Sequence, residues 1–390
     1  MLSALMPNDD SERVNIEVGS GISRRSVMRQ VGAAAGAGAL LSSPGYLTSL
    51  TQDDENGPAT DEAPDYTIVE FIPPPDDLDY ESRWEERDIT MVTHDASTAY
   101  FNPTIAGLHD ACEQLGWNGN FTGPTGGHSV EEQLTILEST VDARPDVIAT
   151  TITDPQAYDF VVEEALANDI FVITYDTNAL TRDEMREKYG QAFGYAGDDA
   201  FAGGYVCGLA GAERLPDDAD RVTIGTCCPG HSALEARADG IALALQHEIE
   251  GIEVDVLEYT GDAGEGVSRL ESHIAATDGL DGLIGTDAFS WFIAEAIRNQ
   301  GVEDEVLGGG FDLEIPTLEA IQDGVMNYTI GADPYSQGYM PTVLSWVYLD
   351  RGMPAKDYPT GSEVIDADNV DAAMQRSEYE TLLEWQRDEY

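Results

Sequence analysis

Positive charge is scarce in this chain. Its 390 residues carry 74 acids against 19 bases, for a formal net charge of −55, and only Lys188 and Lys356 are lysines. A charge of that sign and size repels DNA, RNA and anionic membranes, which argues against all three as partners. Cysteine is scarce as well, and the four present lack the spacing of a disulfide framework. Cys112 and Cys207 fall on the apolar stripes of helices and read as buried thiols. The adjacent pair Cys227-Cys228 stands at the end of a strand and leaves a vicinal disulfide or a soft-metal site open. The six histidines are scattered without metal-ligand spacing, so no metal and no cofactor is expected.

Catalytic constellations are also missing. Gly230-His231-Ser232-Ala233-Leu234 has part of a nucleophile elbow, but Leu234 stands where the second glycine is needed and no histidine is identifiable as its base. Gly261-Asp262-Ala263-Gly264-Glu265-Gly266 is glycine-rich, yet its order is wrong for a dinucleotide loop and it is acidic. It reads as a surface turn. No enzyme is expected.

What is present excludes a disordered acidic chain. Hydrophobic residues make up 42% and fall in periodic blocks. A folded protein coated with carboxylates for multimolar salt fits better, because the Debye length there falls to roughly 3 Å or less and screens the self-repulsion. At the N-terminus, Arg24-Arg25 precedes the short, weakly apolar run VGAAAGAGALL. Paired arginines before such a run resemble a twin-arginine export signal, expected over 1–41. The run is too short for a membrane span, and no cysteine follows it to carry a lipid anchor. Residues 42–87 read as a disordered acidic linker and an irregular arm.

From Asp88 strands alternate with helices, the pattern of a parallel sheet. ITMVT, VIATTI and IFVITY read as strands, with helices between them; Asp154-Pro155 reads as an N-cap and first-turn proline. The plan then repeats through RVTIGT, VDVLEY, LDGLIGT and VLGGGF. Thr93 and Thr226, Gly107 and Gly240, and Asp154 and Asp287 are each 133 residues apart, and Asp176 and Asp312 are 136 apart. Two lobes of one βαβ design follow. Ligands of such sheets sit beyond the strands' C-terminal ends. Tyr100 and Phe101 at one such end offer planes for a sugar ring face. Asp176 and Asp312, at matched ends, offer acceptors for adjacent hydroxyls, with Asp287 open between that role and a helix cap.

From about Asp88 to Ile365 the chain resembles the ribose-type, simple-sugar substrate-binding proteins of ABC importers. The resemblance is carried by AYFNPTIAGLHDACEQLGW, EEQLTILESTVDARPDVIATTITDP, IFVITYDTN, ALEARADGI, VLGGGFD and IGADPYSQGY. It implies an α/β fold of two Rossmann-like lobes with parallel sheets, joined by a three-segment hinge, the type I periplasmic-binding fold. Crossings are expected near Tyr195–Asp199, Gly331–Pro334 and Met353–Thr360. Lobe one is placed at 88–197 plus 333–358, lobe two at 198–332 plus 359–370, and a C-terminal helix or tail at 371–390.

The resemblance also implies site residues: Tyr100 and Phe101 for stacking, Asp176 and Asn178 for hydroxyls, the Thr286-Asp287 pair, and Asp312. Glu235 stands where ribose binders often carry an arginine, Arg237 matches a neighbouring arginine, and Ala332 replaces a common glutamine. The expected function is capture of a monosaccharide or related polyol outside the cytoplasm and delivery to an ABC permease, by a monomer without catalysis. A ligand-binding receptor of a sensing system and a secreted hydrolase are the alternatives. A DNA-binding repressor of this fold lacks support in both segment order and charge.

Overall fold

The computed structural model describes residues 86–190, 193–354 and 356–377. The expected export segment, all but the last two residues of the linker and arm, and most of the C-terminal tail lie outside the described residues. The matched strands build two parallel sheets. In the first lobe β1 (Asp88–Val92), β2 (Asn118–Thr122), β3 (Val147–Ile152), β4 (Phe171–Asn178), β5 (Tyr195–Gly197) and β11 (Tyr358–Pro359) lie in the order β11-β5-β4-β3-β1-β2. In the second, β6 (Arg221–Thr226), β7 (Glu253–Glu258), β8 (Gly282–Gly285) and β9 (Leu307–Gly309) lie in the order β7-β6-β8-β9. Every ladder in these two sheets is parallel. Beside β9, β10 (Tyr328–Gly331) pairs antiparallel with β12 (Glu363–Asp366).

The apolar runs explain the sheets. VIATTI of β3 is buried along its whole length, as a strand covered on both faces must be. EVDVLE of β7, at the sheet edge, is exposed along most of its length, with only Val254 and Leu257 half-buried. The helices α1 (Asn102–Leu115), α2 (Val130–Ala143), α3 (Asp159–Ala167) and α4 (Arg182–Tyr189) belong to the first lobe, and α10 (Pro334–Arg351) returns to it. The second lobe carries α5 (Ala200–Ala212), α6 (Ser232–Glu248), α7 (Ala263–Ala276), α8 (Ser290–Gln300) and α9 (Ile315–Gln322). α1 ends at Gly116, whose φ of 70° is the left-handed cap that glycine adopts without strain. Cys112 packs in the core of the first lobe and Cys207 in that of the second.

Two local expectations change. Asp154 does not cap α3: its Oδ1 accepts the amides of Gln156 at 2.7 Å and Ala157 at 3.2 Å, and the helix proper starts at Asp159. The turn satisfies Asp154 locally, so the proline lies in that turn and outside the helix. α4 was not anticipated. Only Met185 and Tyr189 face the core from a helix that is otherwise charged, too short a stripe to read, and its start is fixed by a reciprocal capping box between Thr181 and Glu184.

The lobes are joined where the chain leaves β5, where it passes from β10 into α10, and between β11 and β12. The crossings brace one another. Thr360 N donates to Gly197 O at 3.1 Å, and Tyr195 Oη reaches the carbonyls of Asp176 at 2.6 Å and Asp198 at 2.8 Å. Asp333 takes a φ of 51° and caps α10 with its side chain.

Candidate functional site

The end of β4 and the residues that follow β1, β6, β8 and β9 converge on a cavity of about 70 Å³ between the lobes. That is the end of the strands where open α/β sheets place ligands. From the first lobe come His94, Tyr100, Phe101, His128 and Asp176; from the second, Cys228, His231, Arg237, Asp287 and Asp312. Asp176 and Asp312 are both buried and both have left-handed backbones, with φ of 55° and 70°. Non-glycine residues in that region cost about 1–3 kcal/mol each and persist where the surroundings hold them. Here the hold is visible: Asp312 N donates to Ile330 O at 2.7 Å, and its carbonyl accepts Thr329 Oγ1 at 2.9 Å.

Arg237 ties these acids together. Its Nη1 lies 3.8 Å from Asp312 Oδ2 and donates to Thr286 O at 3.0 Å, its Nη2 donates to Asp198 Oδ2 at 3.4 Å, and its guanidinium sits 4.1 Å from the centroid of the Phe311 ring. Burial works against the charge on Arg237, but Asp198 and Asp312 outweigh it and hold the guanidinium above its ordinary value. Burial pushes Asp176 up to about 6, against the pull of Arg237 and the hydrogen bond from Tyr100. It pushes Asp312 up to about 7, with Arg237 opposing and Asp176 adding. Asp312 Oδ1 is buried without a partner. Asp312 lines the cavity and can offer this oxygen as an acceptor there.

The aromatic pair sits differently from two free stacking planes. Phe101 lines the cavity but is 1% exposed, edge-on to His94 at 5.5 Å between centroids and packed with Phe121 and Tyr175. Tyr100 uses its hydroxyl, within 2.9 Å of Asp176 Oδ1 and 3.1 Å of Gln337 Oε1. Gln337, on α10, thus places a buried amide beside the crossing where Ala332 lacks one, and its Nε2 donates to Ala332 O at 3.0 Å.

Asp287 lines the cavity, yet its oxygens are already engaged by Cys227 N at 2.8 Å, Tyr259 Oη at 2.7 Å and Phe289 N at 3.0 Å. Three other expected residues stand outside the lining. Asn178 Oδ1 accepts Leu180 N at 3.3 Å, exposed Glu235 accepts Gly230 N at 3.0 Å, and Thr286 is buried with its Oγ1 unpartnered. On a helix two residues are about 200° apart, so Arg237 facing inward turns Glu235 outward.

Some of the lining was not read from the sequence. His94, His128 and His231 meet here, although their separation in the chain follows no ligand spacing. Asp198 comes from the first crossing. Cys227 and Cys228 are free thiols with Sγ atoms 2.9 Å apart, Cys228 at a φ of 51°. Among the described residues no group of three or more His, Cys, Asp or Glu is arranged to hold a metal. A larger hollow of about 710 Å³ opens beside the crossings and shares Tyr100 with the cavity. Its lining includes half-buried Glu314, whose carboxyl is held well above its ordinary value by desolvation and by Asp312. The converging charges are in the smaller space, and that is the candidate site.

Comparison with known proteins agrees with this architecture. Residues 89–352 match the model of the family described as periplasmic binding protein domain. A xylose/arabinose-binding protein of Sulfolobus acidocaldarius is 28% identical over 303 residues, 75% of this chain and 74% of that protein. Among solved structures, a carbohydrate transporter solute-binding protein of Agrobacterium radiobacter, in complex with D-arabinose, superimposes with a TM-score of 0.66 at 24% identity, covering 75% of this chain and 98% of that one. An ABC transporter solute-binding protein of Agrobacterium vitis, bound with α-D-tagatopyranose, gives 0.68 at 22% identity, covering 75% and 98%. With the family model spanning most of the folded body and two parallel-sheet lobes closing on one cavity, the chain belongs to the periplasmic binding protein family.

Proposed function

We propose that this protein is the extracytoplasmic substrate-binding protein of an ABC importer, capturing a monosaccharide or related polyol and delivering it to the permease. The observation that carries the reading is the meeting of Asp176 from one lobe with Asp312 and Arg237 from the other in one cavity. A neutral sugar offers adjacent hydroxyls, and carboxylates with a guanidinium between them match that pattern. The sugars named for the relatives, xylose and arabinose among them, point the same way. In this arrangement about 70 Å³ is well below the roughly 300–1,000 Å³ usual for ligand pockets. Capture therefore involves opening about the crossings, and ligand contacts from both lobes favour the closed state by their differential affinity for it.

The ligand contacts proposed are Tyr100, Phe101, Asp176, Arg237, Asp287 and Asp312, with Asn178, Glu235 and Thr286 acting at one remove. The protein acts as a monomer without catalysis. It is exported through its paired arginines and works in concentrated salt. A thermal-shift panel of pentoses, hexoses and myo-inositol in multimolar salt, with amino acids as controls, tests the reading. A sugar at a hundred times its Kd stabilises by about 2.7 kcal/mol. Stabilisation by amino acids and by no sugar or polyol would overturn it.

A further inference from the structure

Three of the six histidines meet where the lobes touch. His94 follows β1 and His128 precedes α2 in the first lobe; His231 precedes α6 in the second. The Nε2 atoms of His94 and His231 are 3.4 Å apart, with ring centroids at 4.8 Å. His128 closes the triangle, 5.4 Å from His94 and 5.2 Å from His231. A contact between two Nε2 atoms needs one N–H and one lone pair, so it lasts only while at least one of the rings is neutral. The backbone bond beside it also spans the lobes: Ser232 N donates to Thr153 O at 3.2 Å, and Thr153 Oγ1 lies 3.4 Å from His128 Nε2.

We propose that His94, His128 and His231 form a proton-operated latch, holding the lobes together while neutral and driving them apart when protonated. The proposal rests on the reading of the cavity as the site of a hinge-closing protein. It adds to that reading a release signal.

The surroundings set the sign. His94 faces Thr151 on β3, 3.2 Å from its Nδ1, and Asp176 on β4, whose Oδ2 is 3.9 Å away. His128 feels Asp95 from the loop after β1. His231 feels Arg237 on the helix that it precedes, and its Nδ1 is buried without a partner. Tyr100 before α1, Cys227 and Cys228 after β6, Asp287 after β8 and Asp312 after β9 complete the titratable lining, and Asp198 from the first crossing holds Arg237. Burial disfavours the imidazolium at all three rings. It lowers His231 to about 3, with His128 and Arg237 adding. It holds His94 well below its ordinary value, with His231 and His128 adding, and it lowers His128 against the opposing pull of Asp95.

Opening wets the rings and returns them toward about 6.5. The closed state therefore keeps its full histidine contribution above about pH 6.5 and loses it as the pH falls below that value. Asp176, at about 6, and Asp312, at about 7, work in the opposite direction. Their carboxyls take up protons more readily when closed than when wet, so acidification alone would close the cleft on them. Removing the histidines should therefore reverse the response to acid, a consequence no general acid denaturation would produce.

Small-angle scattering on the unliganded full chain, in constant multimolar salt between pH 7.5 and 5, reads the latch directly. The radius of gyration of the wild type is expected to rise below about pH 6.5. That of His94→Gln/His128→Gln/His231→Gln is expected to stay flat or fall. A flat or falling wild type, or an equal rise in a folded triple variant, overturns the proposal. Should the triple variant not fold, His231→Gln alone is to lose most of the rise, and an undiminished rise in it overturns the proposal. With any sugar that binds, a net uptake of one proton on release weakens affinity about tenfold per pH unit below 6.5. A panel without a binder would sink the sugar reading and leave the scattering result standing on its own.

Discussion

Arg237 shows how much a single buried charge can organise. It faces Asp198 from a crossing, Asp312 from the second sheet and the ring of Phe311, and it lies within the pull of Asp176 from the first sheet. Removing the lone cation of such a set leaves several acids buried and uncompensated, which costs about 3–5 kcal/mol. Arg237→Met is expected to lower unfolding stability by that amount, read from denaturant midpoints at fixed salt. Asp312 behaves differently, because its Oδ1 has no partner and burial already pushes its carboxyl up to about 7. Asp312→Ala removes an acceptor that the ligand would use, and a hydrogen bond to a charged group is worth roughly 1.5–3 kcal/mol. Calorimetry with a sugar from the panel should show affinity at least about tenfold weaker, with little change in melting temperature. Unchanged affinity would remove Asp312 from the site. The two acids were legible in the sequence because each closes a strand at a repeated interval. The histidines were not, since no helix or strand period connects them: the fold of the first lobe joins His94 to His128, and the approach of the second adds His231.

At the scale of elements, the fixed shift between Gly107 and Gly240 has a steric cause. A Cβ on Gly107 of α1 would collide with the carbonyl of Tyr335 on α10, and Gly338 of α10 answers it against Thr104. In the second lobe a Cβ on Gly240 of α6 would collide with the carbonyl of Phe201 on α5, and Gly204 answers it against Arg237. Each lobe thus has one helix pair in backbone contact, closer than the usual spacing of 8–10 Å between axes allows for larger residues. Overpacking such a contact costs about 1–3 kcal/mol or more. Gly107→Val and Gly240→Val are each expected to lower the melting temperature by several degrees. Gly126→Ala, with nothing within 4 Å of its would-be Cβ, should leave it unchanged. Equal melting of all three variants would contradict the packing argument. The strands were legible because buried parallel strands are continuous apolar runs, whereas α4 was hidden because only Met185 and Tyr189 anchor it to the core, too few positions to show a period.

The whole molecule must remain folded against its own charge. With 19 bases for 74 acids, most carboxylates have no cation available, and many of the salt bridges that form lie on the surface, as between Arg298 and Asp323 or Arg376 and Glu363. Exposed pairs of that kind contribute about 0–1 kcal/mol each and cannot offset a net charge of −55. Screening by salt is the compensation proposed above. At 1 M the Debye length is about 3 Å, shorter than the distance between most neighbouring surface charges; at 0.1 M it is about 10 Å, and each carboxylate then feels many others. Both lobes carry the excess, so repulsion acts within each lobe and also across the cleft. Dilution from multimolar to about 0.1 M salt is therefore expected to act in two stages, first favouring the open arrangement and then lowering the melting temperature. Scattering and thermal melting over one salt series at pH 7.5, where the surface acids stay ionised, follow both. The buried set around Arg237 is screened far less, so Arg237→Met should lower stability by a similar amount at every salt concentration. A melting temperature that does not move across the series would mean that the acids are compensated locally and that the composition has another cause.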